Sequence, residues 1–350
     1  MSRPEIDLAQ RAASYKAASS LGADQLAATQ QPDGALPSSR DVIESSYKGI
    51  WALQCAGKTI EAARLASYVR SHLGTDGDVP SPRQEPYFLD IHYLYANGYL
   101  AIGAHLLGQF ALSDRLMSFI ASLQNPQHGG FPSTGPRPGD GRCDTVSTSI
   151  SGIAALFHGR EAVALAAADF LTRVWESQPN RASVFSSTVS PEGQLLTGND
   201  AHQLNVQEAG QDWWFLGAPA LFLATLYEKT SDERHLALAQ ELMDYMMLSC
   251  HQDVALHPSC GKLAVSAAKL YRLTNEYRYA ELAVNVADLI VCNQDPSGVW
   301  TRDLWFHGTE RNSTTELLWS DLDMSLEYVL WLDLVARELT SAGAWQSSCA

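Results

Sequence analysis

Three short segments of the 350-residue sequence share one pattern of turn residues. They are Gln30–Leu36, Gln124–Phe131 and Gln294–Trp300, and each contains a glutamine, a proline turn, a glycine and then an apolar or aromatic residue. Each segment ends one stretch of helical periodicity and precedes another. A pattern that recurs at fixed places between helices is the signature of a repeat architecture. This feature therefore constrains the fold more than any other.

A second repeat shows what the repeating unit is. Residues 227–239 align with residues 271–283 at one offset, and the matched pairs are Tyr227/Tyr271, Thr230/Thr274, Arg234/Arg278 and Ala239/Ala283. In both copies an apolar helix ends, a short polar turn follows, and a more polar helix begins. The repeating unit is therefore a helical hairpin.

Helical periodicity and stop signals predict about twelve helices. Their approximate spans are 5–29, 41–56, 59–73, 87–107, 111–124, 143–158, 160–177, 208–228, 231–249, 257–273, 275–293 and 313–339. Helices with one charged face alternate with helices that are poor in charge and rich in Gly, Ala and Ser. A helix that is apolar on nearly every side is buried on every side. The sequence therefore predicts an all-α (α/α)6 toroid, six inner helices wrapped by six outer ones, as a single domain over residues 1–350.

The predicted connections fall into two classes. Those from an inner to an outer helix are short, whereas those from an outer to an inner helix are long and rich in Gly and Pro, notably 74–86, 125–142, 178–207 and 294–312. Long loops gathered on one face of a rigid scaffold commonly carry binding and catalysis. We also expect a small β-hairpin or lid within residues 183–206.

Composition limits the classes of partner. The net charge of −15 argues against nucleic acid and against an anionic membrane surface, because both require clustered Lys and Arg. No apolar run approaches the roughly 20 residues of a membrane-spanning helix. The N-terminus lacks the pattern of a signal peptide, and the six cysteines show no C-x-x-C spacing. We expect a cytoplasmic protein with free thiols and a small-molecule substrate, and the sequence carries no signal for an oligomeric state.

The predicted first turns of the inner helices would surround the mouth of a central cavity, and they are rich in ionisable and aromatic residues. A polar rim above an apolar floor is the usual form of a small-molecule site. The catalytic candidates are Asp144, Asp212, Asp90 and His92. The substrate-binding candidates are Tyr47, Tyr87, Trp213, His257, Lys262, Trp300, Trp305 and Glu316.

Several of these residues also have a purely structural interpretation. Asp144 at a helix start can be an N-cap only, whereas Asp212 lies further inside its predicted helix, where capping is less natural. His92 and Asp90 are two residues apart and cannot share a helix face. Lys262 in an apolar helix needs a carboxylate partner or a lowered pKa. The tryptophans could pack between helices or form walls for apolar or sugar rings.

The sequence contains none of the common motifs of metal or nucleophilic catalysis. There is no H-E-x-x-H, no glycine-rich phosphate loop, no G-x-S-x-G and no His/Cys zinc spacing. We therefore expect no metal and no cofactor, and general acid/base catalysis by carboxylate, His, Tyr and Lys side chains.

Two family resemblances follow from these segments. Gln294–Trp300 and its two degenerate copies resemble the repeat motif of the terpene cyclase and protein prenyltransferase toroids. Gly129–Ser133, with the helix that follows Asp144, is similar to that superfamily's Gly-Gly-Phe turn and inner helix. Residues 321–323, Asp-Leu-Asp, lack the last aspartate of the cyclases' Asp-x-Asp-Asp motif. This resemblance implies the toroid fold.

The second resemblance is to the six-hairpin unsaturated glucuronyl hydrolases. Residues 144–148, Asp-Thr-Val-Ser-Thr, are similar to that family's inner-helix Asp-Thr-Met-Met-Asn segment, whose aspartate is the catalytic acid/base. Residues 212–224 are similar to its aromatic-led helix, and Asp90 lies near the place of its earlier carboxylate. The resemblance implies a hydrolase that acts on an unsaturated uronide through Asp90 and Asp144.

Three functional readings result. The preferred one is a metal-free isomerase, cyclase or lyase of secondary metabolism that acts on a small, largely apolar metabolite. In it Asp144 and Asp212 form the acid/base pair, Asp90 or His92 assists, and burial raises the pKa of a carboxyl group so that it can donate a proton. The alternatives are a carbohydrate enzyme of the unsaturated glucuronyl hydrolase or sugar epimerase type, and a non-enzymatic helical-repeat scaffold that binds a peptide.

Overall fold

A computed structural model describes residues 6–37, 43, 46–79, 92–135, 139–198, 202–256, 260–302 and 319–349. This part of the chain contains twelve α-helices. In chain order they are α1 (Leu8–Thr29), α2 (Gly49–Cys55), α3 (Thr59–His72), α4 (Tyr95–Leu106), α5 (Phe110–Ser122), α6 (Thr145–Phe157), α7 (Glu161–Glu176), α8 (Trp214–Thr230), α9 (Glu233–Ser249), α10 (Gly261–Thr274), α11 (Tyr277–Cys292) and α12 (Trp319–Cys349).

The helices form two concentric rings. In the inner ring, α2, α4, α6, α8, α10 and α12 each pack on the next, and α12 closes the ring on α2. Each outer helix packs on its own inner helix: α3 on α2, α5 on α4, α7 on α6, α9 on α8, α11 on α10 and α1 on α12. The predicted (α/α)6 toroid is therefore confirmed.

Small residues let the inner helices approach one another closely. A Cβ atom placed on Gly98 of α4 would lie 2.7 Å from Ile150 of α6. One placed on Gly152 of α6 would lie 2.5 Å from the ring of Phe222 in α8. The glycine- and alanine-rich composition that predicted buried helices thus reflects direct contact between helix backbones and neighbouring side chains.

The two classes of connection also appear as predicted. Each described inner helix from α2 to α10 is joined to the following outer helix by two or three residues, whereas the connections from outer to inner helices are much longer. Because each hairpin is antiparallel, the N-termini of all the inner helices lie on the face that carries the long connections. Side chains at those N-termini can therefore converge.

The glutamines of the repeated segments form hydrogen bonds that link neighbouring outer helices. The side-chain nitrogen of each glutamine donates to the carbonyl of the glycine in its own segment and to a carbonyl of another outer helix, at 2.8–2.9 Å. The acceptors are Gly34 and Glu61 for Gln30, Gly129 and Val163 for Gln124, and Gly298 and Ala18 for Gln294. The segments join α1 to α3, α5 to α7, and α11 to α1, so the repeated motif has a structural role.

The glycine of the motif is required by both backbone conformation and space. Gly129 has φ +75°, a left-handed conformation that other residues adopt only at a cost. A Cβ atom there would lie 2.2 Å from the carbonyl oxygen of Ala166 in α7. The loop thus lies directly against the backbone of the neighbouring outer helix.

Two small sheets lie within the long connections. Strands β1 (Phe131–Pro132), β2 (Cys143–Asp144) and β4 (Thr188–Val189) form one antiparallel sheet with β2 in the middle. Strands β3 (Val184–Ser186) and β5 (Gln203–Asn205) pair antiparallel, with Phe185 opposite Leu204. The expected β structure within residues 183–206 is thus present, and β2 leads directly into α6.

The inner helices begin later than predicted. Helix α2 begins at Gly49 instead of residue 41, α4 at Tyr95 instead of 87, and α8 at Trp214 instead of 208. The residues 46–48 and 92–94 form turns, and their mostly buried side chains extend the apolar pattern beyond the helix itself. Hydrophobic periodicity reflects burial, and buried side chains continue into the turns before these helices. The sequence analysis therefore overestimated the length of the helices.

Two further expectations concern the cysteines and the possibility of a membrane-spanning helix. Cys55, Cys143, Cys250, Cys260 and Cys292 are free thiols, as the sequence predicted. Within the described ranges, no helix is both long and apolar enough to cross a membrane.

Replacement of Gly129 by alanine tests the role of the repeated motif. Gly108 is the matched control, because its φ is also +75° but a Cβ atom there would meet no neighbour within 4 Å. Gly108→Ala should lower the free energy of unfolding by about 1–2 kcal/mol, the cost of a left-handed residue. Gly129→Ala should lower it by about 1–3 kcal/mol more, because of the contact with Ala166. Urea unfolding measures both, and equal losses would contradict the proposed close contact.

Candidate functional site

Asp144 lies at the junction of β2 and α6 and contacts a histidine. Its side chain is fully buried, and Oδ1 accepts hydrogen bonds from the backbone N–H groups of Val146 at 2.7 Å and Ser147 at 2.8 Å. The same oxygen lies 3.1 Å from Nδ1 of His92, which is also fully buried. Asp144 is therefore an N-cap, as its structural interpretation predicted, and a histidine partner as well.

This contact defines how His92 presents its second nitrogen. An ionised carboxylate can only accept, so Nδ1 donates, and Nε2 of the neutral ring is then a hydrogen-bond acceptor and a base. Neither Nε2 of His92 nor Oδ2 of Asp144 has a hydrogen-bond partner among the described residues. Buried polar atoms are nearly always paired, so two adjacent exceptions mark a candidate functional site.

Aromatic rings surround His92. The centroid of its ring lies 4.7 Å from Trp214, 5.3 Å from Phe215 and 5.7 Å from His202. Burial lowers the pKa of His202, and the nearby His92 lowers it further. Both effects favour the neutral form of His202 beside the His92–Asp144 pair.

A second group of functional side chains lies between α2, α10 and α12. It consists of Lys48, Lys262, Asp323 and Glu327, which we call the ionic cluster. Nζ of Lys48 lies 3.0 Å from both carboxylate oxygens of Asp323 and 2.5 Å from Oε2 of Glu327. Lys262 forms an ion pair with Oε1 of Glu327. The side chains of both lysines are almost completely buried.

The two carboxyl groups of the cluster have opposite pKa shifts. Burial opposes ionisation of Glu327, but the charges of Lys262 and Lys48 outweigh it and lower the pKa of Glu327 to about 2. Burial raises the pKa of Asp323, and the neighbouring Glu327 adds to the rise in spite of Lys48. Two carboxyl groups whose surroundings separate their pKa values are suited to different roles, one ionised and one able to hold a proton.

The lysines also differ. Burial lowers the pKa of Lys262, and the positive charge of Lys48 adds to this effect. Burial acts in the same direction on Lys48, but Asp323 and Glu327 together outweigh it and raise the pKa of Lys48. The prediction that a buried Lys262 needs a carboxylate partner or a lowered pKa is met on both counts.

The carboxylates of the cluster face the interior of the inner ring. In the part of α12 from Ser320 to Glu327, the partly exposed residues are Ser320, Asp323, Met324 and Glu327, and the residues between them are buried. A spacing of three and four residues places all of them on one face of the helix. Since Asp323 and Glu327 contact lysines from α2 and α10, the two inner neighbours of α12, this face is the one that lines the ring.

Trp214 connects the two groups of polar side chains. Its ring lies 4.7 Å from the ring of His92 and 5.4 Å from Nζ of Lys262. Tyr95 lies against both Trp214, at 5.6 Å, and Lys262, also at 5.6 Å. The His92–Asp144 pair and the ionic cluster therefore belong to one continuous region at the N-termini of the inner helices.

Aromatic side chains fill the axis of the ring below this region. Trp51 of α2 contacts Phe157 of α6 at 6.3 Å, although α2 and α6 are not neighbours in the ring. Trp51 also contacts Tyr99 of α4 at 5.9 Å and Trp331 of α12 at 6.4 Å. The site has the apolar floor that the sequence analysis expected.

Two predicted site residues, Tyr47 and Asp212, lie at the border of this region. Tyr47 is buried, and its ring packs on Tyr95 at 5.7 Å and on Tyr99 at 5.5 Å. Asp212 is exposed and accepts a hydrogen bond from Nε1 of Trp214 at 3.1 Å. Asp212 was expected inside its helix, but α8 begins two residues later, at Trp214.

Trp213 and Trp300, two of the predicted binding residues, are packed in the core of the protein. Trp213 is buried, whereas its neighbour Trp214 is the one that contacts His92. Trp300 is completely buried; its Nε1 donates to the carbonyl of Ile290 at 2.7 Å, and its ring packs on Tyr328. Trp300 therefore packs between α11 and α12, away from the contacts of the site. The other candidates, Tyr87, Asp90, His257, Trp305 and Glu316, lie outside the described residues.

The sequence analysis did not choose three members of the ionic cluster. Lys48 adjoins the apolar helix α2, whereas Asp323 and Glu327 are two of several charged residues of α12, so the sequence contained little signal for them. Asp323 and Glu327 are also four residues apart, which places them on one helix face. Among the described side chains, no group of three or more His, Cys, Asp and Glu residues is arranged to hold a metal ion.

Comparisons with known proteins concern the fold. No protein-family model matches the sequence, and a search of curated proteins finds no significant match. Among solved structures, an inactive variant of the α-1,6-mannanase GH76A from Salegentibacter sp., in complex with α-1,6-mannotetrose, is similar with a TM-score of 0.64 and 12% identity over 95% of this chain and 100% of that one.

Two further structures give the same result. A D-mannose isomerase has a TM-score of 0.63 and 12% identity, covering 94% of this chain and 99% of that one. An unsaturated glucuronyl hydrolase specific for heparin has a TM-score of 0.61 and 10% identity, covering 97% and 98%. At such identities the likeness shows the fold alone. These matches include a glucuronyl hydrolase, as the sequence analysis predicted. They do not show the predicted resemblance to terpene cyclases.

Replacement of His202 tests the electrostatics of the site. Because the pKa of His202 is lowered in the folded state, the unfolded chain takes up the proton first as the pH falls below about 6.5, and acid therefore destabilises the protein. Burial lowers the pKa values of His128, His158 and His235 in the same way. The free energy of unfolding in urea should fall from pH 7.5 to pH 5.5, and His202→Gln should reduce that fall. An unchanged pH dependence in the variant would contradict this assignment.

Proposed function

We propose that this chain is an enzyme that moves a proton on a small sugar, as a sugar isomerase or epimerase does. The observation that carries the proposal is the His92–Asp144 pair, in which a fixed carboxylate leaves Nε2 of His92 as a buried base. The ionic cluster lies next to it through Trp214. Enolisation of a sugar requires a base and a group that stabilises the negative charge on oxygen, and this buried region contains a histidine and two ammonium groups.

The proposed reaction starts from the open-chain form of the sugar. Nε2 of His92 takes the proton from the carbon next to the carbonyl, and the electron pair of that bond moves towards the carbonyl oxygen to give an enediolate. Asp144 stabilises the positive imidazolium that results. The ammonium of Lys262 stabilises the negative charge on the enediolate oxygen. For isomerisation, the proton of the adjacent hydroxyl moves to the enediolate oxygen, the adjacent oxygen becomes the carbonyl, and His92 returns its proton to the former carbonyl carbon. For epimerisation, water delivers a proton to the opposite face of the original carbon, and His92 later releases its proton to water.

Two further observations support a sugar as the substrate. Trp214 and Tyr95 present aromatic rings between the base and the ionic cluster, and such rings form walls for sugar rings. All three structures of similar fold described above are carbohydrate enzymes by name. The mannanase was made inactive by replacing two consecutive aspartates, and this sequence has no two aspartates in succession. This favours the isomerase type over the mannanase type.

A second candidate function keeps the same acid/base groups but takes an apolar substrate. It is an isomerase or cyclase of a small apolar metabolite, the preferred reading of the sequence. The aromatic floor formed by Trp51, Tyr99, Phe157 and Trp331 favours it, because such a surface suits hydrocarbon rings. In this reading Asp323, whose pKa is raised by burial, would be the proton donor.

Proton exchange with the solvent tests the proposal. A panel of aldoses and ketoses is incubated with the protein in deuterium oxide, and NMR and mass spectrometry follow isomer formation and deuterium incorporation. We expect turnover of at least one sugar, with His92→Asn and Asp144→Asn each lowering kcat by about 10²–10⁴. Asp144→Asn should change the free energy of unfolding by no more than about 1 kcal/mol, because the amide oxygen can still cap α6.

The control is His72→Asn on the exposed surface of α3, which should keep full activity. A folded Asp144→Asn variant with normal turnover would reduce Asp144 to a cap and refute the mechanism. Release of a sugar from an oligosaccharide, or loss of the ultraviolet absorbance of an unsaturated uronide, would indicate a hydrolase instead. Turnover of an apolar polyene, without turnover of any sugar, would support the second candidate.

A further inference from the structure

The ionic cluster contains two ammonium groups and two carboxylates, so its formal charge is zero. Glu327 is shared: its Oε2 contacts Lys48 at 2.5 Å, its Oε1 pairs with Lys262, and Nε1 of Trp331 donates to Oε1 at 2.9 Å. Asp323 accepts from Lys48 with both oxygens. The charges of both lysines are thus matched within the protein.

The accessible surface of the cluster comes mainly from its carboxylates. The side chains of Asp323 and Glu327 are 16% and 12% exposed, whereas those of Lys48 and Lys262 are 1% and 4% exposed. A ligand that enters the ring therefore meets the carboxylate groups before it meets the ammonium groups. An anionic ligand would be repelled by these carboxylates and would have to displace them to reach the lysines.

We propose that Glu327, together with Asp323, determines substrate specificity by excluding anionic sugars from the site. This inference rests on the proposed function, since it names the charge class of the sugar that the site accepts. Specificity of this kind arises from an unfavourable contact with the wrong ligand as well as from a favourable contact with the right one. A neutral sugar can donate its hydroxyl hydrogens to the exposed carboxylate oxygens, whereas a carboxylate or phosphate group has no hydrogen to donate and is repelled.

Glu327→Gln tests the proposal because it leaves the cluster with one unmatched positive charge and nearly the same shape. Calorimetry compares the binding of D-glucose and D-glucuronate, which differ by one carboxylate. The wild-type protein should bind D-glucuronate at least tenfold more weakly than D-glucose. In the variant, the affinity for D-glucuronate should rise at least tenfold, or about 1.4 kcal/mol, with little change for D-glucose.

The double variant Lys262→Met/Glu327→Gln is the matched control. It also lacks the charge of Glu327, but the loss of Lys262 returns the net charge of the cluster to zero. Replacement of a buried ion pair by uncharged groups of similar size is often tolerated. It should show no gain in D-glucuronate affinity. If Glu327→Gln does not fold, Asp323→Asn provides the same charge and should show the same gain. A folded single variant without any gain, or an equal gain in the double variant, would refute the proposal.

A second pair of probes separates this inference from the proposed function. Benzoate and benzyl alcohol are of similar size, differ in charge and are not sugars. If the wild-type protein binds neither D-glucose nor any other neutral sugar, but Glu327→Gln gains affinity for benzoate at least tenfold, the charge exclusion is supported and the sugar proposal fails. If sugars bind and are turned over while no anion gains affinity, the proposed function stands and the role of Glu327 fails.

Discussion

Closure of the inner ring is the constraint on which the rest of the structure depends. Neighbouring inner helices from α2 to α10 are close in sequence, but α12 must return to α2 across almost the whole chain, and contacts of such separation carry a large entropic cost. Three kinds of contact hold this junction: α1 packs on α12, Gln294 donates to the carbonyl of Ala18, and Lys48 pairs with Asp323 and Glu327. The ionic cluster therefore lies at the seam of the ring.

Because the ionic cluster lies at the seam of the ring, the choice of charged residues there needs a physical reason. Removal of four charges from water is costly, and well-packed apolar side chains could hold the same seam at least as firmly. Burial of two lysines and two carboxylates is thus a poor solution for stability alone. It becomes reasonable if the site needs donors, an ionised carboxylate and a carboxyl group of raised pKa within one small volume, and the separated pKa values of Glu327 and Asp323 provide such a set.

The sequence predicted the features that depend on local pattern. The repeat of glutamine, turn and glycine predicted the toroid, and Asp144 was correctly placed at the start of an inner helix. Features that depend on distant partners were not predictable. Glu327 lies 279 residues from Lys48 and 65 residues from Lys262, so no spacing in the sequence reveals that they meet. Asp212 was misplaced because apolar periodicity continued through the turn before α8.

The two halves of the site are held in different ways. Asp144 is fixed by backbone N–H groups at the start of α6, so the partner of His92 is held by secondary structure. Lys262 and Glu327 are fixed by side chains alone: they pair with each other, Glu327 also contacts Lys48 and Trp331, and aromatic rings surround Lys262. Under the proposed function, substitutions in the ionic cluster therefore change which ligand is accepted without moving the base. Under the proposed function, this division lets the scaffold keep one proton-transfer group while the groups that select the substrate change.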